Sequence, residues 1–203
     1  MKKNFSVFAV IASSAFFMGA CTSNSQESKP EQSAPVGQEI SATNQVAQQD
    51  TIKKSIPSQA EGTIGQTNVK ISYHSPGVKG RVVWGGLVPY DQVWVTGAHK
   101  ATAVEFSKAV IIDGTEVPAG KYALFTIPGR AEWTIILNKD YEQHLADEYD
   151  QKKDILRVKV KPETLGQHQE RLKYEVVGSA ETEGAISISW EKVQVSLPVG
   201  TNS

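Results

Sequence analysis

After Gly62 the sequence takes up a period of two. Thr67, Val69, Ile71 and Tyr73 alternate with Asn68, Lys70 and Ser72, which is the pattern of a strand with one buried and one wet face. Ser75-Pro76-Gly77 stops it. Short β-branched stretches follow at residues 81–84 and 92–96, ended by Gly85-Gly86 and by Gly97. Residues 101–107 and 109–112 lead into Asp113-Gly114, a turn pair in which both residues tolerate a positive φ. Residues 121–127 and 132–138 flank Pro128-Gly129, and residues 155–160, 172–177 and 185–197 complete the series. Turn signals about every 8 to 12 residues, without alternating helices, predict an all-β chain: an antiparallel β-sandwich of about eight or nine strands. One segment departs from this. Residues 139–149 set Tyr141, Leu145 and Tyr149 at four-residue spacing, which predicts one short helix lying against the sandwich.

The aromatic residues locate the core. All four Trp and all six Tyr fall between Tyr73 and Trp190, whereas four of the six Phe precede residue 18. Those early Phe belong to an apolar run, Phe5 to Met18, which follows Lys2-Lys3 and ends in Met18-Gly19-Ala20-Cys21. The order of charged, apolar and small residues is that of a secretory signal, and the run is too short and too interrupted by serine to span a membrane. Residues 1–20 are therefore read as a signal peptide. Cys21, the only cysteine, stands where the bacterial lipoprotein signal has its acylated cysteine, with Met18 in place of the commoner Leu. That resemblance implies lipidation of the Cys21 sulfur, cleavage before it, and acylation of the new amine by palmitate or a similar chain. More than one chain is needed for stable anchoring, since a single chain is only marginal. The expected location is a bacterial envelope membrane, with the outer membrane favoured, at its periplasmic or surface face.

Between Cys21 and residue 62 the chain is rich in Ser, Gln, Glu, Ala and Pro and has no sustained apolar period. Such a stretch buries too little to offset its ordering entropy and predicts a disordered tether of roughly 40 residues, with a root-mean-square span of about 35 Å. Residues 63–203 are assigned to the sandwich domain. Residues 21–203 carry 19 basic against 22 acidic residues, and the domain 16 against 17. Without a basic stripe, the chain lacks the electrostatic footprint of a nucleic-acid-binding protein.

The sandwich region contains ordered motifs: Tyr73-His74-Ser75-Pro76, Val78-Lys79-Gly80-Arg81, Trp84-Gly85-Gly86-Leu87-Val88-Pro89-Tyr90, Val93-Trp94-Val95-Thr96-Gly97-Ala98 and Pro118-Ala119-Gly120-Lys121-Tyr122 continuing to Pro128-Gly129, with Trp133 and Asn138 beyond. Together these resemble the bacterial domain family DUF2911 over roughly residues 65 to 198. The resemblance implies an envelope protein, often a lipoprotein, and brings no established activity. Many members of that family carry Arg where this chain has Val95, and Asn-Glu where it has His99-Lys100. Any role those residues share across the family is missing here, which leaves room for one built on histidine.

Two sets of residues are candidates for chemistry. His74, His99 and His144 stand at a strand end, in a loop and on the expected helix. Three imidazoles suffice for a zinc or copper ion with an open position, at which bound water could hydrolyse a substrate. On that helix Asp140, His144 and Glu148 would share a face, so a carboxylate could orient the imidazole. The competing reading is of separate surface or hydrogen-bonding histidines, because no compact metal signature occurs. Trp84, Tyr90 and Trp94 form the second set, either a platform for a sugar or peptide or part of the core. There is no phosphate-binding loop, no G-x-S-x-G elbow and no cysteine left for a thiol nucleophile. Spacing singles out no pair of carboxylates, and no catalytic residue is assigned. The sequence thus points to a membrane-anchored module that binds a ligand or partner, with a three-histidine metal protein or hydrolase as the alternative.

Overall fold

A computed structural model describes residues 50 and 52–202. The signal peptide, Cys21 and the tether as far as residue 49 lie outside the described residues.

Among the described residues ten strands form two antiparallel sheets. They are β1 (Ile56–Ile64), β2 (Thr67–Ser75), β3 (Thr102–Phe106), β4 (Val110–Ile112), β5 (Thr115–Val117), β6 (Gly120–Ile127), β7 (Trp133–Asn138), β8 (Asp154–Val160), β9 (Glu163–Gly178) and β10 (Glu183–Gly200). The first sheet runs β1-β2-β3-β6-β7-β8 and the second β5-β4-β10-β9. The expected sandwich is present, with ten strands.

Alternation explains what fills it. From the first sheet Val69, Ile71, Val104, Phe106, Leu124, Ile135 and Leu137 are buried; Leu172, Ile186, Ile188, Trp190, Val195 and Leu197 meet them from the second. Strands send alternate side chains inward, so the two inner faces supply one continuous apolar layer. Asp113 (φ 49°) and Gly114 (φ 73°) join Ile112 to Thr115 across a two-residue hairpin, as the Asp-Gly pair predicts.

Several local expectations are corrected. β1 takes in residues 56–62 of the segment read as tether, which moves the start of the domain N-terminal to residue 63. It is an edge strand with one exposed row, so Pro, Gln and Glu serve it as well as apolar residues would. Residues 81–84 and 92–96 are not strands. The stretch between β2 and β3 is a long excursion held by isolated bridges, among them Trp84 with Val88 and Trp94 with Thr126. β9 begins at Glu163 rather than near Leu172, because its polar first half pairs with the part of β10 from Glu191 to Gln194.

The helix expected over residues 139–149 is absent, and the one helical piece among the described residues is a 3-10 turn at Gln151–Lys153. Asn138 Oδ1 accepts from the Asp140 amide at 2.9 Å, Leu145 takes a positive φ of 52°, and its amide donates to His99 O at 2.8 Å. These features hold the backbone in bends. Tyr141, Leu145, Ala146 and Tyr149 still pack together onto a second apolar cluster of Val95, Ala101, Ala123, Phe125 and Ile136. That cluster lies on the outer side of the first sheet. The four-residue spacing therefore reported a buried face, although the segment is an irregular cover. No helix among the described residues is long and apolar enough to cross a membrane.

Candidate functional site

The excursion between β2 and β3 ends in the loop of residues 96–101. Thr96 (φ 52°) and His99 (φ 66°) both lie in the left-handed region, a costly conformation for a β-branched residue such as threonine. Thr96 is completely buried. Its carbonyl accepts from Tyr174 Oη at 2.7 Å and from Thr102 Oγ1 at 3.0 Å; its hydroxyl donates to Trp94 O at 3.1 Å and lies 3.0 Å from Thr126 Oγ1. On the far side, the Ala101 amide donates to Gln143 O at 3.0 Å and Lys100 forms a bridge with His144. Interior hydrogen bonds thus hold the strain, and residues 97–100 are presented from a rigid base.

The loop separates two open grooves. One, of about 380 Å³, is lined by Trp94, Trp190, Leu87, Leu145, Arg81 and His99 among others. The other, of about 610 Å³, runs over the outer face of the first sheet and is lined by His74, Lys100, Lys121 and Tyr141 among others. His74 and His99 meet edge to face at the divide, with ring centroids 5.3 Å apart. Burial, the neighbouring His99 and the Lys100 ammonium together hold the His74 imidazole below its ordinary pKa.

The three-histidine arrangement is not formed. Two of the imidazoles meet, but among the described residues no group of three His, Cys, Asp or Glu is positioned to hold a metal ion. His144 is exposed and joins the region through its bridge to Lys100. Without a helix, the common face expected for Asp140, His144 and Glu148 also disappears; Asp140 instead pairs with Lys153 at 2.6 Å.

The aromatic set divides as well. Trp84 is the hub of a cluster that contains every tryptophan of the chain, with centroid distances of 4.8 Å to Trp133, 5.8 Å to Trp190 and 5.9 Å to Trp94. Its Nε1 is buried and has no hydrogen-bond partner among the described residues, a situation that costs about 1–3 kcal/mol. Trp94 and Trp190 lie nearly parallel, 17° apart, and line the smaller groove. Tyr90 makes no ring contact with them. It packs where a side chain on Gly85 (φ 79°) would meet it at 2.9 Å, and the Arg130 guanidinium lies 4.5 Å from its ring centroid. Sequence alternation places Trp190 in the core with Ile186 and Ile188 and gives no sign that it also lines a groove. The register of β10 shifts on either side of Glu191 (φ 57°), and such bulges re-aim neighbouring side chains.

A β-sandwich that presents a strained, histidine-bearing loop between two grooves defines the class: an all-β scaffold that displays its polar chemistry on loops. By its sequence the chain belongs to the family described as protein of unknown function (DUF2911), whose model matches residues 55–199. No curated protein and no solved structure matches the chain.

Proposed function

We propose that this chain is a lipid-anchored envelope protein whose β-sandwich is a ligand-binding module, with its contact region centred on residues 96–100. One observation carries the binding reading: a left-handed threonine held by buried hydrogen bonds, followed by an exposed left-handed histidine whose carbonyl accepts from the Leu145 amide, stands where two grooves meet. Strain that the surroundings must over-determine is commonly retained where it positions functional groups. Both groove volumes lie in the range of small-ligand pockets, about 300 to 1,000 Å³. The anchoring half rests on the sequence alone, on Lys2-Lys3, the apolar run and Met18-Gly19-Ala20-Cys21.

The binding half is tested by mapping backbone amide shifts of the isotopically labelled chain against a library of envelope sugars, peptides and small acids. Hits are expected to move the amides of residues 97–100 and of the groove linings. Hits confined to other surfaces, or none at all, would overturn the reading. For the anchor, cells fed labelled palmitate should label the wild-type protein and not Cys21→Ala. Label retained by that variant would place the acyl group elsewhere.

A further inference from the structure

The outer face of the first sheet is used in two ways. Over β6 and β7 it is apolar and lies under Tyr141, Leu145 and Tyr149. Over β1, β2 and β3 it is uncovered and forms the larger groove. Ser72 stands opposite Ala103, so β2 and β3 carry small side chains at one level of the trough; Ala123, opposite Ala103 on β6, lies under the cover. Larger cross-strand pairs at such a level would occupy the space above it. Here the missing bulk leaves a trough of about 610 Å³.

The chemistry of its walls is uneven. His74, Lys100 and Lys121 line the trough against a single acid, Glu142. Among the described residues neither lysine has a carboxylate within ion-pair distance, although Glu105 is the strand partner of Lys121. The Lys121 ammonium lies 4.9 Å from the Tyr141 ring centroid, an attraction that steadies a cation without neutralising it. Ser72 and Tyr141 add two hydroxyls and Gln59 an amide whose nitrogen donates to the Glu61 carboxylate, leaving its oxygen to the trough.

The floor narrows the choice of ligand. Over β2 and β3 its backbone amides and carbonyls are paired on both sides, and only the outer edge of β1 is open, so a peptide lying across the face of β2 and β3 gains no main-chain hydrogen bonds of the kind that strand addition supplies. Over that face recognition comes from side-chain ammonium, imidazole, amide and hydroxyl groups, and these suit a ligand that is both hydroxylated and anionic.

We propose that the trough over β1, β2 and β3 binds a carboxylated sugar, with its acid group between Lys100 and Lys121 and its hydroxyls on Gln59, Ser72 and Tyr141. This rests on the binding-module reading and gives that site a ligand class. One source is a free uronic acid and the other a chain of such units. The full chain in detergent is titrated by calorimetry with galacturonic acid, its linear hexamer, neutral maltohexaose and hexaglutamate. The hexamer is expected to bind in a salt-dependent manner, with maltohexaose and hexaglutamate at least about tenfold weaker. The double variant Lys100→Gln/Lys121→Gln should lose at least about tenfold in affinity while keeping the wild-type thermal midpoint. Monomer binding as tight as the hexamer would also support the assignment, with one unit sufficing. No binding of either acid, equal binding of maltohexaose or hexaglutamate, or an unaffected double variant would overturn it. If the acidic sugars fail while other library compounds still move the amides of residues 97–100, the sugar assignment falls and the binding module stands.

Discussion

His74 carries the clearest electrostatic signature near the loop. Its imidazole is partly buried, meets His99 edge to face and feels the Lys100 ammonium, all of which disfavour the protonated ring. In the unfolded chain those penalties vanish, and the unfolded state then takes up a proton at higher pH than the folded one. Stability from this residue is therefore fully present above the ordinary imidazole value and is lost as pH falls from there towards the depressed folded value. The thermal midpoint of the wild type should drop more steeply between about pH 7 and pH 5 than that of His74→Gln. Parallel curves for the two proteins would show that His74 is not the titrating group. The same pair of residues shows how a sequence can name side chains without placing them. His74 and His99 meet because the excursion returns to the end of β2, whereas His144 reaches the loop through its backbone bridge.

The cover over residues 139–149 is the element whose sequence and structure diverge most. Its apolar spacing is helical, yet the hydrogen bonds from Asn138 and to His99, together with the left-handed Leu145, select another backbone. Periodicity records which side chains are buried, and it fixes the backbone only when local hydrogen bonding agrees. For the long β2, β6 and β10 runs the two agree, and those strands are legible. β1 is not, because an edge strand exposes one row and its composition is that of a tether. Tyr149 ties the cover down. Its ring meets Phe125 at 5.2 Å, and its hydroxyl donates to Asp154 Oδ2 at 2.6 Å and accepts from Arg157 Nη1 at 2.9 Å. Burial first, then the Asp154 carboxylate, push its pKa up to about 12. Tyr149→Phe should cost about 1 kcal/mol for the lost hydrogen bonds, and Tyr149→Ala about 3 kcal/mol for the lost packing. Urea unfolding measures both. Near-UV circular dichroism should keep the coupled signal of Trp84, Trp133 and Trp190, which pack in the main core, whereas Trp94 also packs against the cluster under the cover. Equal losses for the two variants would mean that the ring contributes little.

At the scale of the molecule, the grooves gather residues from β1, β2, the excursion, β6, the cover and β10. Their meeting follows from strand order, with β3 between β2 and β6, which a one-dimensional pattern does not contain. The other long-range feature is at the N-terminal margin. Asp50 pairs with the Arg171 guanidinium and with Lys79 Nζ at 3.2 Å, while Arg171 also donates to Ile52 O at 2.7 Å and to Ser75 O at 2.9 Å. Chiefly through Arg171, the Asp50 carboxyl is lowered to about 2. Its contribution to stability is present above the usual carboxylate range and is lost as pH falls towards about 2. In Arg171→Gln, carbon-detected titration should return Asp50 to the usual range; an unmoved midpoint would assign the shift to other neighbours.

That clasp has a mechanical consequence. β1 is an edge strand, and its Ile56 end pairs with Ser75 at the rim of the sheet. Tension applied through the preceding chain would peel β1 away one ladder bond at a time, the weakest direction in which a sheet can be loaded. Asp50 lies ahead of that point and is bound to β9 of the opposite sheet through Arg171. A pull from the N-terminal side is therefore shared across both layers before it reaches the hairpin, so the fastening acts as strain relief for the seam behind it.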